Sequence, residues 1–282
     1  MIQSINRNRP PDAVQSQLDL SKAIADQQEA ISSTKRLIRP SDDPQGWLEI
    51  SLIARQQSDE QASTANIGRA ETRAVQAEAS MTALSSGLIR AKELIVLANN
   101  DAVNGQNREG IAIELEGILA NFRDILGQDD PFGGKLFPAV PLEVAIGGTR
   151  NVIASPTMAR LAQGIDDGSG GIVTLESVME TTIEAVRNGG NADREASLLP
   201  LDKALDRMTA MLTEQGVARG RLESARDQFI ESRVVLAERR RDIEDVNVSE
   251  AITRLQALDV SLQAAQAVYA KINQRSLMDF LG

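Results

Sequence analysis

The side chains that could carry out acid-base chemistry in this sequence are carboxylates, because its 282 residues include neither Cys nor His. Their absence removes thiol nucleophiles, imidazole bases and the usual zinc ligands. Two carboxylate pairs, Asp42-Asp43 and Asp129-Asp130, could in principle supply an acid and a base. A proline follows each pair directly, which is typical of helix caps and turns. The sequence therefore predicts no enzyme, no metal site and no cofactor.

Three short segments resemble ligand-binding patterns but lack the residues that define them. Residues 166–171 are acidic and rich in glycine, yet they lack the alternating ligands and the closing glutamate of a calcium loop, so a turn is predicted. Gly133-Gly134-Lys135 lacks the spacing and the following Ser or Thr of a phosphate loop. Arg239-Arg240-Arg241 lies among acidic residues, which indicates a solvated helix face with local ion pairs.

Composition favours packed helices over a β-sandwich or barrel. The chain is 42% hydrophobic but only 2% aromatic, and pleated cores depend on aromatic and β-branched residues. Its 40 acidic and 30 basic residues give a net charge of -10, which repels nucleic acid and anionic lipid. We find no run of the roughly 20 apolar residues that would span a bilayer, and no cleaved signal in residues 1–7. Composition alone thus predicts a soluble, cytoplasmic protein with no nucleic-acid partner and no membrane insertion.

Apolar residues alternate at spacings of three and four, which is the pattern of helices packed along a narrow seam. The first long seam consists of Ile67, Ala70, Ala74, Ala77, Met81, Leu84, Leu88, Ala91, Ile95 and Ala98. The second consists of Leu201, Ala204, Met208, Met211, Gln215, Ala218, Leu222, Ala225, Phe229, Ser232 and Leu236. Two shorter helices are predicted between them, with inner faces of Ile111, Leu115, Ile118, Phe122 and Ile125 and of Leu175, Met179, Thr182 and Val186.

Comparable stripes occupy both ends of the chain, and we expect the two to pair as a coiled coil. Their members are Leu20, Ile24, Ile31 and Ile38 at one end and Leu255, Leu258, Leu262, Tyr269 and Ile272 at the other. Burial contributes about 25 cal/mol per Å², against an ordering cost of about 1 to 2 kcal/mol per residue. An isolated helix pair is therefore marginal, and we expect these ends to order against neighbouring subunits. We expect a terminal apolar cluster of Leu277, Phe280 and Leu281 to contact a chaperone or another subunit.

The sequence predicts a mostly α fold, in which N- and C-terminal arms form a long helical hairpin or coiled-coil bundle. Residues 1–43 and 243–282 are the arms of an inner coiled-coil domain, and residues 44–126 and 175–242 form a helical rod. Between them, residues 127–174 are rich in glycine and proline. They include two β-like runs at 142–146 and 151–154, which indicate a small insertion that joins the two helical arms.

Several motifs stand at the two ends of the chain. One is the segment Lys35-Arg36-Leu37-Ile38-Arg39-Pro40-Ser41-Asp42-Asp43-Pro44, and the others are residues 243–255, reading IEDVNVSEAITRL, residues 262–272 and residues 276–281. The first resembles an element near the start, and the others resemble elements near the end, of proteins of the flagellin superfamily, and most closely of its hook-associated protein 3 family. A departure is Ser33-Thr34-Lys35, where the family commonly has Thr-Gly-Lys.

The resemblance implies that both termini line a hollow axial tube and that the middle of the chain faces outward. It also implies export by the flagellar type III apparatus without a cleaved signal, so the expected location changes from the cytoplasm to the extracellular flagellum. The expected partners are copies of this chain, flagellin, a neighbouring hook-associated protein and an export chaperone. The expected role is the hook-filament junction, a ring on which the filament grows.

Three other functions stay open on the sequence. A short flagellin that forms the filament itself is compatible with the chain length. Residues 127–175 could form a glycan-binding or hydrolytic module, although aromatic side chains for sugar stacking are few. An unrelated coiled-coil adaptor in the cytoplasm is the third.

Overall fold

The computed structural model describes residues 9–100, 104–147 and 150–281, and side chains within these ranges from residue 14 to residue 271. Its helices are α1 (Arg9–Ser33), α2 (Pro44–Ala98), α3 (Gly105–Gly127), α4 (Met158–Ala162), α5 (Leu175–Arg187), α6 (Asn191–Ala196), α7 (Leu198–Glu244) and α8 (Val248–Leu281). Its strands are β1 (Glu143–Ala145), β2 (Asn151–Ile153), β3 (Ile165–Asp166) and β4 (Ile172–Val173). The prediction of a mostly α fold is confirmed.

The chain divides into two compact units, which we name by their place in the sequence. The terminal unit contains residues 1–58 and 233–282, and the middle unit contains residues 59–232. Helices α2 and α7 contribute residues to both units. Two of the domain limits expected from the sequence, 43/44 and 174/175, coincide with the starts of α2 and α5, and the limits 126/127 and 242/243 lie within two residues of the ends of α3 and α7. The compact units instead divide inside α2 and α7. The five-part domain division stays a prediction.

In the terminal unit, helix α1 packs against helix α8. The start of α2 and the end of α7 complete this unit. Few of its described side chains are fully buried, and those that are apolar are Ala30, Leu37, Ile50, Ile53, Leu236 and Ala251.

The core of the middle unit lies along the seams that the heptad spacing predicts. All ten residues of the first seam, from Ile67 to Ala98, are buried on α2. In the second seam, most residues from Leu201 to Ala225 are buried on α7, and Ala218 is partly buried. Ile111, Leu115, Phe122 and Ile125 on α3 and all four predicted positions on α5 are buried as well. Spacing alone therefore identified the packed faces of four helices.

The two predicted strands form a short antiparallel hairpin, β1 with β2, in which Val144 lies opposite Val152. Ile146, Val152 and Ala154 pack into one cluster with buried residues of α2 and α7. The hairpin thereby covers the part of the helical seam around Ile67 and Leu222.

A buried ion pair joins α2 to the loop after α3. The Arg73 guanidinium lies 2.5 Å from the Asp130 carboxylate, and their side chains are 8% and 2% exposed. Arg73 also donates to Ser155 Oγ at 2.9 Å and to the Lys135 carbonyl. Burial alone would raise the pKa of Asp130, but the N–H groups of Gly134 and Phe132 and the Arg73 charge hold this pKa below its ordinary value. Asp130 is thus a turn cap, as predicted, and in addition it is half of an internal ion pair that the sequence did not reveal.

Three small elements of the middle unit were missed by the sequence reasoning: α4, α6 and the β3–β4 hairpin. Residues 166–171 form the predicted turn, and this turn connects β3 to β4. The Asp167 carboxylate accepts hydrogen bonds from the backbone N–H groups of Ser169 and Gly171 at 2.8 and 2.9 Å. These elements are too short for a periodicity to be read from the sequence.

We predict opposite effects for two glycine-to-alanine substitutions within α2. Alanine normally favours a helix over glycine by about 1 kcal/mol. At Gly87, however, a Cβ atom would overlap the Phe122 ring in the core, with Ile118 Cγ2 also at 3.3 Å. At Gly68 a Cβ atom would meet nothing within 4 Å. Urea unfolding should show Gly87→Ala destabilised by about 1 to 3 kcal/mol and Gly68→Ala unchanged or stabilised. Equal effects at both positions would contradict the packing described for Phe122.

Candidate functional site

The two connections that lead into and out of the terminal helix pair lie side by side. We call them the joint: residues 34–43 between α1 and α2, and residues 245–247 between α7 and α8. The Arg36 N–H donates to the Glu244 carbonyl at 2.7 Å, and the Val246 N–H donates to the Thr34 carbonyl at 3.0 Å. Lys35 and Asp245 face each other in an antiparallel bridge. Segments about 210 residues apart in sequence are therefore paired through their backbones.

Charged side chains reinforce this backbone pairing. The Lys35 ammonium lies 2.5 Å from one Glu244 oxygen, and Arg240 Nε lies 2.9 Å from the other. The Arg36 guanidinium donates to the Ile243 carbonyl at 2.9 Å. Burial alone would raise the pKa of Glu244, but the hydrogen bonds and charges of Lys35 and Arg240 hold this pKa below its ordinary value. Glu244 therefore remains ionised between two cations, one from each side of the joint.

The Asp42-Asp43 pair shapes the chain between α1 and α2. Asp42 Oδ2 accepts hydrogen bonds from the N–H groups of Arg39 at 2.7 Å and Ile38 at 3.1 Å. Asp43 Oδ1 accepts from Gln45 and Gly46 in the first turn of α2. The predicted capping role of both carboxylates is confirmed. The N–H groups of Gln45 and Gly46, in the first turn of α2, would otherwise lack helical partners.

Thr34 adopts a left-handed backbone conformation, with φ at +58°. This conformation is free of strain for glycine but costs a β-branched residue about 1 to 2 kcal/mol. The turn at Thr34 brings Lys35 beside Asp245.

The predicted stripe residues at the two ends lie on α1, in the joint and on α8. Each of the following is half-buried: Leu20, Ile24, Ile31, Ile38, Leu255, Leu258, Leu262 and Tyr269. By contrast, all ten residues of the first seam in the middle unit are buried. Ile272, Leu277, Phe280 and Leu281 lie on α8, but their side chains are outside the described set. The packing and contact roles of these twelve residues stay predictions.

The terminal unit also exposes large apolar side chains that the sequence reasoning did not single out. Leu48 and Leu52 on α2 are 65% and 68% exposed, and Val260 on α8 is 65% exposed. Val14, Leu18, Ile252 and Val268 are other exposed members of the terminal pair. Exposed apolar area of this kind marks interaction surfaces. The sequence did contain a signal for this surface, because Ile252, Val260 and Val268 lie outside the predicted stripe.

A cleft of about 790 Å³ lies in the middle unit beside α5 and α6. Three of its carboxylates serve the fold: Glu180 pairs with Arg123, Asp193 accepts from the Gly190 N–H, and Asp167 caps its own turn. Within the described ranges we find no group of three acidic residues arranged to hold a metal ion. The described helices also include none that is both long and apolar enough to cross a membrane.

Comparison with known proteins agrees with the resemblance of the terminal motifs. Residues 199–281 match the family model of the bacterial flagellin C-terminal helical region. The chain is 21% identical to flagellar hook-associated protein 3 of Escherichia coli K12, over 88% of this chain and 90% of that protein. The predicted resemblance to the flagellin superfamily, and within it to hook-associated protein 3, is confirmed.

Solved structures share the fold. A flagellar hook-associated protein from Vibrio parahaemolyticus has a TM-score of 0.65 at 17% identity, over 72% of this chain and all of that one. A flagellar junction protein from Legionella pneumophila has a TM-score of 0.55 at 12% identity, over 70% of this chain and 99% of that one. At these identities the likeness shows the fold alone.

We predict that reversing one charge of the joint loosens its backbone pairing and that exchanging both charges partly restores it. An ion pair with an exposed partner such as Lys35 contributes about 0.2 to 1 kcal/mol, and reversal adds repulsion. Lys35→Glu or Glu244→Lys should raise the hydrogen-exchange rates of the Arg36 and Val246 amides by about fivefold. The double variant restores the pair between positions 35 and 244 but loses the contact of Arg240 with Glu244, so it should recover only part of the change. Lys22→Glu, at an exposed position of α1, is the control. Single reversals with no effect on exchange would exclude the ion pair as a support of the joint.

Proposed function

We propose that this chain, whose residues 199–281 match the family model of the bacterial flagellin C-terminal helical region, is a structural axial protein of the flagellum that forms the junction between hook and filament. The observation that carries the proposal is the likeness to hook-associated protein 3, which extends over most of both chains. It acts by packing rather than by catalysis, and it works outside the cell as part of the flagellum.

The incomplete burial of the terminal pair supports a role in assembly. Eight predicted stripe residues remain half-buried although α1 and α8 already pack together. Covering a Leu or Ile side chain completely contributes about 1.5 to 3 kcal/mol. Neighbouring copies that cover this remaining apolar surface would supply the free energy of assembly. A contact between different faces of successive copies propagates as a helix and does not close on itself.

The remaining parts of the proposal follow from the family. The arms 1–43 and 243–282 line the axial tube. The rod segments 44–126 and 175–242 and the insertion 127–174 lie further out. Its partners are its own copies, flagellin and a neighbouring hook-associated protein. The chain is exported through the flagellar type III apparatus, and Leu277, Phe280 and Leu281 contact a chaperone before assembly.

A short flagellin is the second candidate, and the match of residues 199–281 to the flagellin region favours it. Deleting the gene separates the two functions. Loss of a junction protein should leave hooks without filaments and release unpolymerised flagellin into the medium. If this chain is instead the only flagellin of the cell, no flagellin will be found there.

We predict that Leu258→Asp and Leu262→Asp each prevent incorporation into flagella. A carboxylate at either half-buried position would have to be desolvated when copies pack, so assembly should weaken at least about tenfold, or about 1.4 kcal/mol. The measurement is immunodetection of the chain on sheared flagella, combined with filament counts by electron microscopy.

Gln263→Asp is the matched control, because it places the same charge on an exposed neighbouring position of α8. It should incorporate as the wild type does. Circular dichroism should show that the helices of the middle unit persist in all three variants. Normal incorporation of Leu258→Asp would contradict the role of the stripe in assembly.

A further inference from the structure

The net charge of this protein is confined to one of its two units. The terminal unit carries 14 basic and 14 acidic residues, so its formal charge is zero. The middle unit carries 16 basic and 26 acidic residues and therefore the whole net charge of -10. Composition of the full chain conceals this division, because it reports only the sum.

Charges of the terminal unit are also balanced locally. Lys35 pairs with Glu244, Arg39 with Glu29, and Arg239 with Glu49, each pair within this unit. Two copies that meet through their terminal units therefore bring together neutral surfaces with exposed apolar side chains. Such surfaces attract at short range and do not repel at long range.

The arrangement in the middle unit is the reverse, because single arginines are shared between two carboxylates. Arg187 bridges Glu109 and Glu116. Arg123 in the same way bridges Glu176 and Glu180, and Arg90 bridges Glu93 and Glu114. Each of these groups keeps a net charge of minus one at the surface.

Further acidic side chains of the middle unit are exposed and make no hydrogen bond or ion pair with the part of the chain that the structure describes. They are Asp124, Glu195, Asp206, Glu223 and Glu231. The excess charge is thus distributed over α3, α6 and α7 rather than held in one site. A negative surface of this extent repels a second copy of itself at low ionic strength.

We infer that the middle unit is an electrostatic brake on self-assembly through the terminal unit. The inference rests on the proposed function and adds a limit on the length of the assembly. Each copy that joins an assembly of this chain brings a charge of -10, so repulsion accumulates as the assembly grows. A pure assembly of this chain therefore stays short. Such a limit suits a thin junction better than a long filament.

The test compares three full-length proteins by sedimentation and light scattering. One is the wild type. The second, neutralised variant combines Asp124→Asn, Glu195→Gln, Asp206→Asn, Glu223→Gln and Glu231→Gln, which halves the charge of the middle unit. The third, matched control exchanges Asp and Glu at the same five positions and keeps every charge. Circular dichroism first establishes that all three have the same helix content.

The salt dependence of assembly decides the outcome. Raising NaCl from about 10 mM to about 150 mM shortens the Debye length from about 30 Å to about 8 Å. The concentration of wild type at which assembly begins should fall by about tenfold over this range. The neutralised variant should assemble already at low salt, and the concentration at which its assembly begins should change by about threefold or less over this range. The control should follow the wild type.

Two failures can be told apart. Wild type and neutralised variant that assemble alike at every salt concentration would overturn the brake and leave the proposed function standing. If the wild type and the neutralised variant both stay monomeric at every salt concentration, self-assembly itself is overturned, and the electrostatic brake with it.

Discussion

The pairing of the joint is the constraint on which the terminal unit depends. Helices α1 and α8 come from opposite ends of the sequence, and the backbone bonds of Arg36 and Val246 hold the connections beside them together. Because α1 ends where α8 begins, the two helices must run antiparallel from this point. Their register is then fixed by the Lys35–Asp245 bridge rather than by their own modest apolar contact. The terminal motifs are therefore two halves of one structural element.

The two units are stabilised by different interactions. The middle unit buries continuous seams on α2, α3, α5 and α7 and adds an internal ion pair with all its main hydrogen-bond partners present. Such a core is stable without a partner chain. The terminal unit leaves its stripe half-covered and gains order mainly from the joint. Under the proposed function, this separation lets the terminal unit pack against other copies while the middle unit stays folded.

Sequence reasoning succeeded where a pattern repeats and failed where a contact joins distant single residues. The heptad spacing located the buried faces of α2 and α7 because each position is supported by several others. Arg73 and Asp130 are 57 residues apart and lie in unrelated local patterns, so nothing in the sequence pairs them. The joint was predicted only in part. Its two motifs were recognised and placed at opposite ends, and their opposite charges, Lys35 and Arg36 against Glu244 and Asp245, could have indicated that they meet.

The left-handed Thr34 has a consequence for the order in which the chain folds. A threonine holds φ at +58° only while something compensates the unfavourable backbone, and its carbonyl is bonded to the N–H of Val246. Val246 lies about 210 residues after Thr34, so the turn that ends α1 closes only when this distant segment is present. The two connections of the joint therefore acquire their structure together.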